Sequence, residues 1–282
     1  MQAFIASLAI LFSAEGWAQS YTPSYTFIKY QKTFPRISMA IDRVEDSLIR
    51  QFQQRNLTWP ARYIYIRSFK YDSQLEVWIK QEKEEKFQLF KTYKVCALSG
   101  SLGPKRMQGD YQVPEGFYYI NQFNPNSNYH LSLGLNYPNV SDRVLSDSLL
   151  PGGDIFIHGS CVTTGCIPIR DSQIEELYIL ASHARTEGQD FIPVHIFPIR
   201  YDNPRSSEQL IKFLRQYPEY TSLNKELRKA YHYFEDNHQI PLIMVNRKGG
   251  YIVEAGMPIE SSQAVNSGSI SQNYLSEPGS KK

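Results

Sequence analysis

His158 and Cys166 sit at the two ends of the run His158-Gly159-Ser160-Cys161-Val162-Thr163-Thr164-Gly165-Cys166, and their residue types can do nucleophilic chemistry. A thiol attacks as its thiolate, and a nearby imidazole can take the proton and later return it to a leaving amine. Gly165 lets the backbone approach a bound carbonyl, so that the Gly165 and Cys166 N–H groups face a developing oxyanion. Thr163 and Thr164 add hydroxyl donors. The competing reading is a Gly-rich hairpin with two buried cysteines.

Three cysteines, Cys96, Cys161 and Cys166, leave an odd thiol, as expected when one is catalytic. Two roles stay open for Cys161: pairing with Cys166, which would silence the nucleophile, or simple packing. His158, Cys161 and Cys166 can also be read as three zinc ligands. No fourth ligand is evident and the spacing fits no common structural site, so nucleophilic catalysis is preferred, with no metal or organic cofactor.

The elements that must position these groups follow from periodicity. Ile155 to Ile157 reads as a strand before the loop, and Gly165-Cys166 enters a second apolar stretch. Asp171 or Ser172 is expected to cap a helix, with Glu175 as capping-box partner, Ile174, Leu177, Tyr178 and Ala181 as its apolar face and Gly188 at its end. Cys166 would then precede a helix start, whose partial positive charge lowers a thiol pKa. Ile37, Ile41, Val44, Leu48 and Phe52 form an earlier amphipathic helix that ends before Trp59-Pro60. Strands are predicted at 63–67, 75–80, 87–95, 117–120, 129–133 and 191–198, and the mixed-sign run 81–86 is a hairpin turn. Gly-rich Ser99 to Gln112, with Lys105 and Arg106, lacks a phosphate-loop pattern and reads as a substrate-facing loop. His130 is expected on a strand bordering the cleft, His195 as a structural residue, and His183 on a helix surface. Helices at 208–216 and 225–237 precede a hairpin around Gly249-Gly250.

Composition bounds the class. The 282 residues are 41% hydrophobic and 13% aromatic, enough for one substantial core and an appendage. A net charge of +2 and no basic stripe argue against nucleic acid as a partner. Residues 2–14 are nearly all apolar, and the small residues Gly16 and Ala18 suit signal-peptidase cleavage after Ala18. The run is shorter than the ~18 apolar residues a spanning helix needs, so no stable membrane span is expected after cleavage. Removing 1–18 takes away Glu15 and no Lys or Arg, raising the net charge from +2 to +3.

His158-Gly159 followed by Thr163-Thr164-Gly165-Cys166 resembles the His-Gly and Ser/Thr-x-Gly-Cys signature of the L,D-transpeptidase catalytic domain, or YkuD domain, and the short His-to-Cys spacing resembles its YafK-like branch. Gly103-Pro104-Lys105 with Pro114-Glu115-Gly116-Phe117-Tyr118 resembles the family's approach to the site. Leu135-Asn136-Tyr137-Pro138-Asn139 resembles its branch-specific segment, which makes Tyr137, with Thr163 and Thr164, a candidate substrate-binding residue. The similarity covers roughly Tyr63 to Arg200 and continues weakly to about Val253. One departure is Pro168, where many members carry an Arg thought to fix the Cys loop and the substrate carboxylate.

The resemblance implies an α+β fold with a mixed β-sandwich core of the YkuD type and flanking helices. The expected organisation is a signal peptide at 1–18, an N-terminal helical segment at 19–60, the catalytic domain at 61–200, a helical and hairpin extension at 201–259 and a disordered tail at 260–282. It implies peptidoglycan stem peptides as substrate and a periplasmic or cell-envelope location. Cys166 forms a thioester on the carbonyl of the third-position diamino acid, His158 acts as base and then acid, the Gly159 carbonyl orients His158, and the Gly165 and Cys166 amides hold the oxyanion. Resolution by an amine gives a transpeptidase. Resolution by water gives a hydrolase, including one that releases a wall-linked lipoprotein. A third reading is a non-catalytic wall-binding module in which Cys161–Cys166 is a structural disulfide.

Overall fold

A computed structural model describes residues 26–256, so the expected signal peptide and the whole of the expected tail lie outside the described residues. In chain order the elements are α1 (Phe27–Gln31), α2 (Pro35–Gln54), β1 (Tyr63–Phe69), β2 (Gln74–Lys80), β3 (Gln88–Lys94), β4 (Gly116–Asn124), β5 (Ser132–Leu135), α3 (Val140–Leu145), β6 (Phe156–His158), β7 (Ile167–Pro168), α4 (Asp171–Thr186), β8 (Ile192–Phe197), α5 (Pro204–Gln216), a single 3-10 turn (Pro218–Tyr220), α6 (Thr221–Asn237), β9 (Leu242–Val245) and β10 (Tyr251–Glu254).

The first eight strands form one mixed sheet in the order β3-β2-β1-β8-β4-β5-β6-β7, with parallel pairings at β1–β8 and β6–β7 and antiparallel pairings elsewhere. Both faces of its central strands are buried, which explains why β1 and β2 read as almost continuous burial. Alternation sends Ile64, Ile66, Val77 and Ile79 to one face, where Ile37, Leu48 and Phe52 of α2 and Leu177 and Tyr178 of α4 cover them. The same alternation sends Tyr65, Phe69 and Trp78 to the other face, under Tyr231 and Phe234 of α6. The extension therefore closes the second face of the sheet, and the β9–β10 hairpin adds Tyr251 and Val253 to that core.

One ion-pair network lies inside the second face. Arg67 donates to Glu76 Oε2 from Nε and Nη2 (2.9 and 2.6 Å) and to Glu235 Oε1 from Nη1 (2.6 Å). Trp78 Nε1 (2.8 Å) and the Arg200 guanidinium also donate to Glu76. The Arg67 guanidinium lies over the Phe234 and Trp78 rings at 4.6 and 4.9 Å, so its charge is satisfied by carboxylates at its edge and π-faces above.

Several local expectations change. Tyr129 and His130 precede β5 in a turn, with His130 at φ 69°, and His130 Nε2 meets Glu175 Oε1 at 2.6 Å. Glu175 also takes Arg43 Nε at 3.0 Å, so it braces α4 against α2 rather than serving as a capping-box partner. The helix begins at Asp171, with Gln173 Oε1 accepting from the Arg170 N–H at 3.2 Å, and it ends just before Gly188 as expected. Asp171 itself turns toward the loop that follows β6, where it accepts the Ser160 N–H. His195 is structural, as expected: it is buried and its Nδ1 lies 2.7 Å from the Tyr65 hydroxyl, with burial pulling its pKa down to about 3. His183 packs on Trp59 and pairs with Glu45.

Candidate active site

Parallel pairing of β6 with β7 aligns Ile157 with Ile167 and His158 with Pro168. Continuing that register puts Cys166 beside Phe156, and the Phe156 N–H lies 3.4 Å from Cys166 Sγ. Phe156 and His158 share a face of β6, so the sheet brings the thiol and the imidazole to neighbouring strands with an offset of two residues. No hydrogen bond joins them among the described residues. The thiol instead donates toward the Asp154 carbonyl at 3.5 Å.

His158 is 2% exposed, and its Nδ1 lies 2.5 Å from the Gly159 carbonyl oxygen. A carbonyl can only accept, so Nδ1 carries the proton and Nε2 keeps its lone pair. Burial pulls the imidazole pKa below its ordinary 6.5, against the hydrogen bond to Gly159. Burial likewise pushes the Cys166 thiol up, with the Phe156 N–H opposing. The resting pair is therefore neutral thiol and neutral imidazole. That corrects the expectation of a thiol activated by a helix start: α4 begins at Asp171 as expected, but burial is the largest influence on Cys166 and pushes its thiol up.

Cys96 is disulfide-bonded to Cys161 and Cys166 is free. This settles the open question about Cys161. It neither silences Cys166 nor stands available as a zinc ligand, and the structural disulfide on which the wall-binding reading depended is not formed. The bridge ties the middle of the His-to-Cys loop to the end of β3, where the Cys96 N–H also donates to the Pro168 carbonyl at 3.0 Å. A second tie comes from Asp171 Oδ1, which accepts the Ser160 N–H at 2.8 Å. Gly159 is needed there because a Cβ would lie 2.6 Å from Asp171 Oδ1 and 2.8 Å from the Tyr129 carbonyl.

Thr163 builds the loop from within: its hydroxyl donates to the Cys166 carbonyl at 2.8 Å and accepts the Gly165 N–H at 3.1 Å. Both groups expected to meet substrate are thus engaged with each other. Gly165 has φ +140°, and a Cβ would stand 3.0 Å from the Gln112 carbonyl, so the loop at 99–112 packs directly over the nucleophile turn.

A cleft of about 180 Å³ opens beside Cys166. One wall is Thr164, Gly165 and Cys166, a second is Gly152 to Ile155, and the third is Lys105, Gln108, Gly109 and Tyr111 from the loop read as substrate-facing. Asp110 holds that loop by accepting Lys105 Nζ at 2.6 Å and the Arg106, Met107 and Gln112 N–H groups. Tyr137 stands behind the second wall, its hydroxyl donating to the Pro151 carbonyl at 2.9 Å, so it supports the cleft without lining it. Sequence reasoning did not single out Asp110 or Asp142. The signal for Asp142 was the Asn139-x-x-Asp142 spacing of a capping box, which starts α3.

Residues 70–196 match the family model of the L,D-transpeptidase catalytic domain (YkuD). The chain is 31% identical over 216 residues to "Putative L,D-transpeptidase YafK" of Escherichia coli (strain K12), covering 76% of this chain and 82% of that protein. Among solved structures it is similar to the helical cell shape determining protein Pgp2 of Campylobacter jejuni, at 18% identity and a TM-score of 0.39 over 65% of this chain and 73% of that one. Against a substituted form of the same protein the match spans 58% of each chain, at 21% identity and a TM-score of 0.39.

Proposed function

Because the chain belongs to the L,D-transpeptidase catalytic domain (YkuD) family, we propose that it acts on peptidoglycan stem peptides through a thioester on Cys166, within a catalytic unit at 61–200 that a helical segment precedes and a helical and hairpin extension follows. The observation that carries this reading is the fixed His158 tautomer: Nδ1 is committed to the Gly159 carbonyl, which leaves Nε2 as the base on the strand next to the thiol. The thiol turns away from the Asp154 carbonyl, gives its proton to Nε2, and the sulfur attacks the carbonyl carbon of the third-position diamino acid. The Cys166 amide serves as the oxyanion donor in this reading, since the Gly165 N–H is held by Thr163. The imidazolium then protonates the leaving amine as the C–N bond breaks. Attack on the thioester by an amine of a second stem forms the new C–N bond as the C–S bond breaks, and the proton that amine loses passes through Nε2 to the departing sulfur, restoring the thiol. Attack by water releases the acyl group, and this is the route by which a wall-linked lipoprotein would be freed.

An oxidising, extracytoplasmic compartment fits both the family and the Cys96–Cys161 bridge. Among the described residues no helix is long and apolar enough to cross a membrane. The test is mass spectrometry of tetrapeptide muropeptides and diamino-acid-linked conjugates after incubation with the mature chain and with Cys166→Ala. Joined products that require Cys166 support transpeptidation, and loss of the linked group without joining supports hydrolysis. No change in either sample overturns both enzyme readings.

A further inference from the structure

A second cleft, of about 490 Å³, lies across the Lys105–Arg106 segment from the catalytic one. Consecutive residues of that segment face opposite ways: Lys105 lines the Cys166 cleft, and Arg106 lines the second cleft with Ser141 of α3, Glu219 and Tyr220 of the 3-10 turn, and Lys248 and Tyr251 of the β9–β10 hairpin. Every one of these walls except the shared loop and α3 belongs to the extension.

The two cations differ in how they are satisfied. Lys105 is neutralised inside its loop by Asp110 at 2.6 Å. Arg106 spends only Nη1, on Asp142 Oδ1 and the Lys105 carbonyl, each at 3.3 Å. Its Nε and Nη2 have no partner among the described residues, and neither does the Lys248 ammonium of the exposed hairpin turn. A guanidinium held at one nitrogen and open along its other edge is suited to a carboxylate, which it grips in the plane of the fork. The Tyr220 and Tyr251 rings give apolar flanks for the chain that carries it.

We propose that this cleft is a second peptide subsite that takes a carboxylate-bearing segment of the wall polymer, with Arg106 and Lys248 as its receptors. The proposal rests on the stem-peptide reading above. It assigns the extension a role in substrate choice: a chain lying over the Lys105–Arg106 wall is read on both sides, by chemistry at Cys166 and by charge at Arg106.

The experiment uses the full mature chain carrying Cys166→Ala, so that nothing turns over. The free stem tetrapeptide, and the same peptide with its carboxyls amidated, are titrated while backbone amide NMR signals of Asn246–Tyr251 and of Gly152–Asp154 are followed separately. The free peptide is expected to shift both sets. Amidation, or Arg106→Gln with Lys248→Gln, is expected to weaken saturation of the 246–251 set about tenfold or more while the 152–154 set still saturates. Since Arg106→Gln also takes a partner from Asp142, Lys248→Gln alone, at an exposed site, provides a variant safe for folding and should weaken that set roughly threefold. Signals of 246–251 that stay still, or that saturate equally with the amidated peptide or in the variants, overturn the subsite. Cys166-dependent products with a silent hairpin leave the functional reading standing without the subsite, and a titrating hairpin without such products does the reverse.

Discussion

Removing the Cys96–Cys161 bridge should separate the stability of the fold from the order of its catalytic loop. The bridge closes a segment with a sequence separation of 65 residues. The chain-entropy relation for a loop of that length gives about 4 kcal/mol of stabilisation lost on opening it. A domain with the usual 5–15 kcal/mol would still fold, and the two hydrophobic cores do not include either cysteine. The loop carries more of the effect. Between His158 and Cys166 it would keep the Gly159 N–H on the Leu131 carbonyl, the His158–Gly159 bond, the Asp171–Ser160 tie and the internal Thr163 bonds, but lose its covalent anchor at residue 161, so the thiol and imidazole lose part of their fixed offset. A misplacement of about 1 Å near reacting groups costs up to about 100-fold in rate, so Cys96→Ser with Cys161→Ser should lower kcat/KM at least tenfold at a temperature where the variant is fully folded. Urea unfolding measures the first quantity, and turnover of a defined muropeptide measures the second. A double variant that unfolds within about 1 kcal/mol of the parent and turns over at the parental rate would refute the reasoning on both counts.

Four further outcomes follow from named contacts. The pH profile of kcat/KM should have an acidic limb with an apparent pKa below 6.5, because burial depresses His158 and only its neutral form accepts the thiol proton; a limb at 7 or above contradicts the assigned base. Asp142 is pushed up to about 6 by burial, so its folded-state pKa exceeds the unfolded one. Its contribution is complete below about pH 4 and is lost as pH rises through 6, and the parent should lose stability across that window relative to Asp142→Asn, as read by thermal unfolding against pH. Gly165→Ala places a Cβ 3.0 Å from the Gln112 carbonyl at a φ of +140°; it should cost about 1–3 kcal/mol by urea unfolding and reduce turnover, whereas unchanged turnover would remove the close approach from the site's requirements. Arg67→Ala takes two donors from the buried Glu76 carboxylate and one from the half-exposed Glu235 of α6, and should cost about 3–5 kcal/mol by the same measurement.

Periodicity made the frame of the site legible. Ile37 to Phe52 read as a helix because their apolar spacing is helical, and the same residues are buried in the structure. The strands read well where one face alternates with the other, and the loop at 99–112 read as substrate-facing because its glycines and cations suit no regular element. Tyr129-His130 misled because alternation over a few residues resembles a strand, whereas His130 adopts φ 69° and is held by Glu175 from another element. The Cys96–Cys161 pairing was illegible for a related reason. It depends on β3 and β7, first and last in the strand order, coming together at their ends, where the Cys96 N–H reaches the Pro168 carbonyl; no local spacing signals that approach. The roles of Thr163 and Gly165 were hidden by scale: residue type announces donors and acceptors, but only coordinates show that they satisfy one another.

Pro168 connects these observations. The family resemblance leaves this chain without the arginine that would fix the cysteine loop, and a proline cannot supply its charge or its donors. What Pro168 does supply is its place in β7 opposite His158 and a carbonyl that accepts the Cys96 N–H. That hydrogen bond sets the end of β3 against β7, where Cys96 can reach Cys161. In this chain the loop is held by the covalent bridge and by Asp171 on the Ser160 N–H. A bridge and a buried hydrogen bond bring no free positive charge to the nucleophile, which is consistent with a thiol whose pKa is raised by burial. In the mechanism proposed above, a thiol held neutral by burial gives its proton to His158 Nε2 as the sulfur attacks, so the two events are coupled.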